Sequence, residues 1–148
     1  TEMQSSKILA IASDHAGFDL KESLKLWLLE MGYEVVDFGT NSSSSMDYPD
    51  VIHPLAIEIA SGKLNRGIVI CGSGIGVSMV ANHHNGIRCA LCYEEELVAL
   101  ARQHNNANVL ALGARFTSFD KATKLVSTFL NTEFEGGRHQ CRIDKIDY

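Results

Sequence analysis

Of 148 residues, 45% are hydrophobic and 21% charged, which excludes a disordered tail, a fibre or a membrane span and leaves one domain with its own core. Thirteen Lys and Arg against eighteen Asp and Glu give a formal net charge of -5, so nothing global draws the chain to nucleic acid or an anionic membrane. The four cysteines, Cys71, Cys89, Cys92 and Cys141, are too irregularly spaced for a disulfide-stapled secreted module, and no apolar stretch of signal-peptide length opens the chain.

Reduced thiols in a cytoplasmic protein are therefore expected. Thr1-Glu2 ahead of Met3 reads as an added remnant, and residues 1–6 are expected to be unordered. Lys7 to Ala12 is a short, nearly continuous apolar run, the mark of a central parallel strand. Leu20, Leu24, Trp27, Leu28 and Met31 then fall on one helical stripe, with Gly32 as its stop, and a second strand is predicted over Tyr33 to Phe38. A polar stretch from Gly39 to Asp47 leads to Tyr48-Pro49-Asp50 and a helix from Val51 to Ser61, with Pro54 in its first turn.

Arg66 to Cys71 predicts a third strand, running into Gly72-Ser-Gly-Ile-Gly76 and a helix that ends near Asn82. Ile87 to Cys92 reads as a fourth strand, Glu94 to His104 as a helix, Asn108 to Leu112 as a fifth strand, and Asp120 to Leu130 as a helix. Strict alternation of this kind predicts a Rossmann-like three-layer α/β/α sandwich on a five-stranded parallel sheet. Asn131 to Tyr148 shows no apolar period and carries Arg138, His139, Arg142 and Lys145, so it is expected to lie over a surface or reach a neighbour.

In such a sheet ligands bind beyond the carboxyl ends of the strands. Counted strand by strand, Asp14, His15, Tyr48, Cys71, the glycine loop, Tyr93 and Arg115 belong to that edge, and His104 and Asn105 are expected to close it. Three glycines after a strand expose amides at a helix N-terminus, which suits a phosphate or a developing oxyanion. The G-x-G-x-G spacing does not fit a dinucleotide fingerprint, and no Walker lysine follows. Cys71 gives the loop its chemistry, because a thiol beside exposed amides is placed to act as a base or nucleophile. Asp14 taken alone reads equally well as a helix N-cap, and His104 as a histidine satisfied at a helix C-terminus. Cys89 and Cys92 are expected on opposite faces of a strand, in the core, and neither His83-His84 nor His139-Gln-Cys141 has a second pair at zinc-site spacing. No metal is expected.

The chain resembles the type B ribose-5-phosphate isomerases and the wider group with galactose-6-phosphate and allose-6-phosphate isomerases. The resemblance spans Lys7 to about Asp144 and is carried by Ser13-Asp-His-Ala-Gly17, Asp47-Tyr-Pro49, Cys71-Gly-Ser-Gly-Ile-Gly76, Gly86-Ile-Arg-Cys-Ala90, Arg102-Gln-His-Asn105 with Asn108-Val-Leu-Ala-Leu-Gly113, and Gly136-Gly-Arg-His139 with Arg142. It implies a single aldose-ketose isomerase domain over residues 1–148, acting on ribose 5-phosphate in the pentose phosphate pathway. Cys71 would move the proton, Ser73 would assist at the reacting oxygens, and the amides of Gly72, Gly74, Ile75 and Gly76 would bind the enediolate. His104 would open the sugar ring, Asp14, Tyr48 and Asn105 would bind hydroxyls, and His15, Arg115, Arg138 and Arg142 the phosphate. The resemblance implies no cofactor and no metal, and a homodimer, or a pair of dimers, with shared sites. The rival expectations are an isomerase of a six-carbon phosphosugar, a non-catalytic phosphosugar-binding module and a flavodoxin-like carrier.

Overall fold

The computed structural model describes residues 7–147, and the expectation for residues 1–6 lies outside them. Five strands, β1 (Ile8–Ser13), β2 (Glu34–Asp37), β3 (Gly67–Cys71), β4 (Cys89–Leu91) and β5 (Val109–Gly113), form one parallel sheet in the order β2-β1-β3-β5-β4. Around it pack α1 (Phe18–Glu30), α2 (Pro49–Ala60), α3 (Ile75–Asn82), α4 (Glu95–Asn105), α5 (Phe119–Asn131) and a short α6 (Arg138–Ile143). The α/β sandwich expected from the alternation is present. Among the described residues no helix is long and apolar enough to cross a membrane.

The strand sequences explain the layers. Alternate side chains leave a strand on opposite faces. On one face Leu9, Ile11, Ile68, Ile70, Leu110 and Leu112 meet Leu24 and Leu28 of α1 and Leu125, Val126 and Phe129 of α5. On the other, Ala10, Ala12, Val69, Val109 and Ala111 meet Ile52 and Leu55 of α2 and Val77 and Ala81 of α3. The strands line this second face with smaller residues, alanine and valine in place of leucine and isoleucine. Gly67 belongs to the same economy of space, since a Cβ there would come within 2.7 Å of Ile59 Cδ1.

Three elements differ from the sequence reading. β4 is reduced to three residues because the Arg88 amide bonds to Asn108 Oδ1 at 2.8 Å, a side chain in place of a strand carbonyl. α2 starts at Pro49, so Pro54 lies beyond its first turn. The terminal segment contains α6, whose His139 and Ile143 are buried one helical turn apart, a spacing too short to register as a period.

Chain connections diverge between β1 and β3. β1 leads outward to β2, and β3 heads across the sheet, which makes the carboxyl ends of these two strands the switch point where a ligand crevice forms.

Candidate active site

At that point β1 ends in Ser13, and Asp14 caps a 3-10 turn, His15–Gly17, with its Oδ1 accepting from the Ala16 and Gly17 amides at 2.9 and 3.1 Å. The turn packs so tightly on β3 that a Cβ on Gly17 would lie 2.6 Å from Ile70 Cγ2. His15 Nδ1 accepts the Met46 amide at 3.2 Å, tying this turn to the polar segment before α2. Asp14, His15, Met46 and Tyr48 line an open cleft of about 610 Å³. Asp14 therefore does what the N-cap reading required, and it lies in the cleft as well.

β3 ends in Cys71, whose thiol is 6% exposed and accepts the Gly74 amide at 3.1 Å. Gly74 has φ +81°, a conformation glycine adopts without strain, and a Cβ there would meet Leu91 Cδ1 at 2.5 Å and the Leu112 backbone at 3.0 Å. Ser73 Oγ accepts the Ile75 amide at 3.2 Å, and Ile75 itself, at the start of α3, is half-exposed. Gly76 makes room for Tyr48, since a Cβ would stand 2.8 Å from the Tyr48 hydroxyl. The Arg115 amide bonds to the Gly72 carbonyl at 3.0 Å, and its side chain lies so close that a Cβ on Gly72 would be 3.1 Å from Nε. Asp14, His15, Tyr48, Cys71, Gly72, Ser73, Gly74, Ile75, Gly76 and Arg115 thus come together around one crevice.

His104, Asn105, Arg138 and Arg142 do not join them. α4 runs antiparallel to the strands, so its last residues return to the amino ends of β4 and β5. There the Asn105 carbonyl accepts from Arg88 Nε at 3.1 Å. Cys71 is in register with Gly113, and four residue steps, about 13 Å, lead from Gly113 back to Val109 at the other end. The expectation that His104 and Asn105 close the Cys71 edge within one chain is therefore corrected. A helix that starts at the carboxyl edge must end at the amino edge.

At that second edge, His104 stacks on His139 with ring centroids 4.4 Å apart and planes 14° from parallel. Glu135, whose amide bonds to the Gln103 carbonyl at 3.1 Å, places Oε1 3.9 Å from His104 Nε2 and 3.6 Å from His139 Nε2. Burial, with help from His104 and the neighbouring arginines and against Glu135, holds His139 below its ordinary imidazole value. Arg138 and Arg142 share α6 with it.

Two residues stand out that sequence reasoning left without a role. The Tyr93 hydroxyl donates to the Ser73 carbonyl, and a Cβ on Gly113 would collide with that hydroxyl at 2.5 Å. Burial, with the nearby Cys71 sulfur adding to it, pushes the Tyr93 hydroxyl up. A tyrosine just past the end of a parallel strand was the available signal. Glu135, one of two acids in the loop between α5 and α6, offered none.

Burial, with Cys92 adding to it, pushes Cys89 far above its ordinary range, and burial also raises Cys92. The two pack into opposite faces of the sheet, as expected.

The Ribose/Galactose Isomerase family model matches residues 9–146 of the chain. Ribose-5-phosphate isomerase B of Escherichia coli K12 is 44% identical over 140 residues, 95% of this chain and 94% of that protein. The ribose 5-phosphate isomerase B structure from Thermotoga maritima superposes with a TM-score of 0.92 at 50% identity, covering 95% and 97% of the two chains. The Mycoplasma genitalium ribose-5-phosphate isomerase B with bound ribulose-5-phosphate gives 0.90 at 45% identity, covering 94% and 93%. The crevice at the β1–β3 switch point, the glycine loop behind Cys71 and this likeness along nearly the whole length agree, and the chain belongs to the Ribose/Galactose Isomerase family.

Proposed function

We propose that the chain interconverts ribose 5-phosphate and ribulose 5-phosphate through a cis-enediolate, with Cys71 carrying the proton between C2 and C1. The observation that carries this reading is the Cys71 thiol held inside the glycine loop at the carboxyl end of the sheet's middle strand. Bound ribulose-5-phosphate in the Mycoplasma genitalium relative supports the substrate class.

Isomerisation requires removal of the C2 proton beside a carbonyl, stabilisation of the charge that moves to oxygen, and return of the proton to C1. Cys71 takes and returns the proton, so none is lost or gained overall. Loop amides and the Ser73 hydroxyl face the oxygens, each well-aimed donor contributing about 3 kcal/mol to barrier lowering. Without substrate the Gly74 amide rests on Cys71 Sγ and the Ile75 amide on Ser73 Oγ. An arriving oxyanion recruits those two amides by displacing partners already beside the crevice. Asp14 keeps Oδ2 for a sugar hydroxyl because only Oδ1 serves the cap, and Tyr48 supplies a second contact. His15 and Arg115 meet the phosphate with charge-assisted bonds.

His104, Asn105, Arg138 and Arg142 then act from a partner subunit. Their position at the opposite end of the sheet supports a homodimer in which each crevice is completed across the interface: His104 opens the furanose ring, Asn105 holds a hydroxyl, and the two arginines close on the phosphate. The chain works in this scheme as one domain. Its four unbridged cysteines agree with a reducing compartment, the cytoplasm.

Turnover of ribose 5-phosphate, allose 6-phosphate and galactose 6-phosphate, measured side by side on the purified protein, tests the reading. The highest kcat/KM is expected on ribose 5-phosphate. A higher value on either six-carbon sugar would replace the substrate, and none on all three would leave only a binding protein.

A further inference from the structure

Three ligand-type side chains converge at the amino edge of the sheet, away from Cys71. His104, Glu135 and His139 offer two imidazole nitrogens and a carboxylate oxygen, all within 4.8 Å of one another. The backbone builds this meeting. Glu135 is tied to Gln103 by its amide, and Gly136 and Gly137, at φ +72° and +59°, turn the chain so that His139 returns beside Glu135. His139 is buried, and its ring stacks on that of His104.

We propose that His104, Glu135 and His139 form a site for a divalent cation of the zinc class, and that filling it withdraws His104 from the sugar. A tetrahedral ion with donors at about 2.0–2.1 Å keeps them about 3.3 Å apart. Two of the separations here are 3.6 and 3.9 Å and the two rings lie 14° from parallel, so closing the set needs side-chain shifts of about an ångström and a turn of the half-exposed His104 ring out of the stack, which brings both lone pairs onto the ion. Two imidazoles with one carboxylate select Zn²⁺, Co²⁺ or Ni²⁺ over Mg²⁺ and Ca²⁺, which take oxygen ligands. The fourth position stays open to water. Arg138 and Arg142, on the same helix as His139, are positive neighbours that oppose cation binding. Because the metal takes the imidazole lone pair, His104 cannot exchange a proton with the substrate while the site is filled. That second step rests on the reading of His104 as the ring-opening group.

Titration of the intact protein with Co²⁺, followed by absorption, separates the two steps. One Co²⁺ per chain is expected, with weak visible bands and without the intense near-ultraviolet band of a sulfur ligand. Glu135→Gln and His139→Gln should each weaken binding by about 10-fold or more. Zn²⁺ should lower turnover of the unmodified protein and spare Glu135→Gln, each compared with its own metal-free rate. No saturable binding, a sulfur band, or affinity unchanged in both variants would overturn the site. Binding without inhibition would overturn the control and leave the site. A failure of the ring-opening reading shows separately, as a His104→Asn protein that loses Co²⁺ but still turns over ribose 5-phosphate.

Discussion

The Gly74 amide lies 3.1 Å from the Cys71 sulfur and aims a backbone dipole at the atom that has to carry negative charge during proton transfer. Only a residue at φ +81° can present it there, and the space for a side chain is taken by Leu91 and the Leu112 backbone. Gly74→Ala is expected to cost about 2–4 kcal/mol of stability, from left-handed backbone strain and overpacking. It should also reduce kcat by about 100-fold or more. Thermal unfolding and turnover of the same preparation check both.

Tyr93 holds the loop from the other side through the Ser73 carbonyl. Tyr93→Phe keeps the ring against Phe116 and removes one donor, so a stability loss of about 1 kcal/mol is expected. If the bond positions the loop, kcat falls about 10-fold while KM stays near its original value, a split equivalent to about 1.4 kcal/mol in the transition state alone. Steady-state kinetics on ribose 5-phosphate read that split.

Much of this arrangement is legible in the sequence for physical reasons. β1, β3 and β5 are buried on both faces and must be nearly all apolar, so Leu9 to Ala12, Ile68 to Ile70 and Val109 to Leu112 declare themselves. Glycines at Gly74 and Gly76 mark the crevice because they are where backbone conformation and a neighbouring tyrosine leave no room for Cβ. α6 is not legible: two buried positions one turn apart carry no periodicity, and its start depends on Gly136 and Gly137 taking positive φ. The place of His104 follows from helix polarity, which its neighbours in sequence do not display. His104 and Asn105 end a helix and so return to the amino ends of the strands. Glu135 joins the histidines only through tertiary folding, which no local pattern records.

An ion cluster built around buried Lys21 stands at the end of β2. Lys21, fully buried, donates to Asp37 Oδ2 at 2.7 Å, Lys25 donates to the same oxygen at 2.8 Å, and Asp37 Oδ1 accepts the Gly39 amide at 2.8 Å. Burial alone would raise Asp37, and the hydrogen bonds from Lys21 and Lys25 outweigh it and hold the carboxyl below its ordinary value. The folded value is the lower one, so the cluster's stabilisation is complete above the unfolded carboxyl value of about 3.9 and is lost as pH falls through the folded value. Asp37→Asn should cost about 1–3 kcal/mol near neutral pH, because Lys21 then keeps only the more exposed Glu22 carboxylate, 2.7 Å away, as its counter-charge. The gap between the two melting temperatures should close as pH drops below about 4. Melting curves from pH 7 downward follow it.

Two inactive proteins should rescue one another if the crevice is shared. In Cys71→Ala the loop thiol is missing, and in His104→Asn the group at the far edge of the sheet is missing. Mixed and allowed to exchange subunits, about half the dimers become hybrids, and each rebuilds one of its two crevices, so about a quarter of full activity returns. Activity no higher than the sum of the separate variants would mean that each crevice is complete within one chain.

Proton exchange at C2 of the sugar in deuterated water, compared between the unmodified protein and Cys71→Ala, tests the role of Cys71 most directly. Ser73, the loop amides and the phosphate contacts remain in the variant, so binding of ribose 5-phosphate is expected to persist while exchange falls by about 100-fold or more. Exchange at the original rate in a folded Cys71→Ala protein would contradict the account.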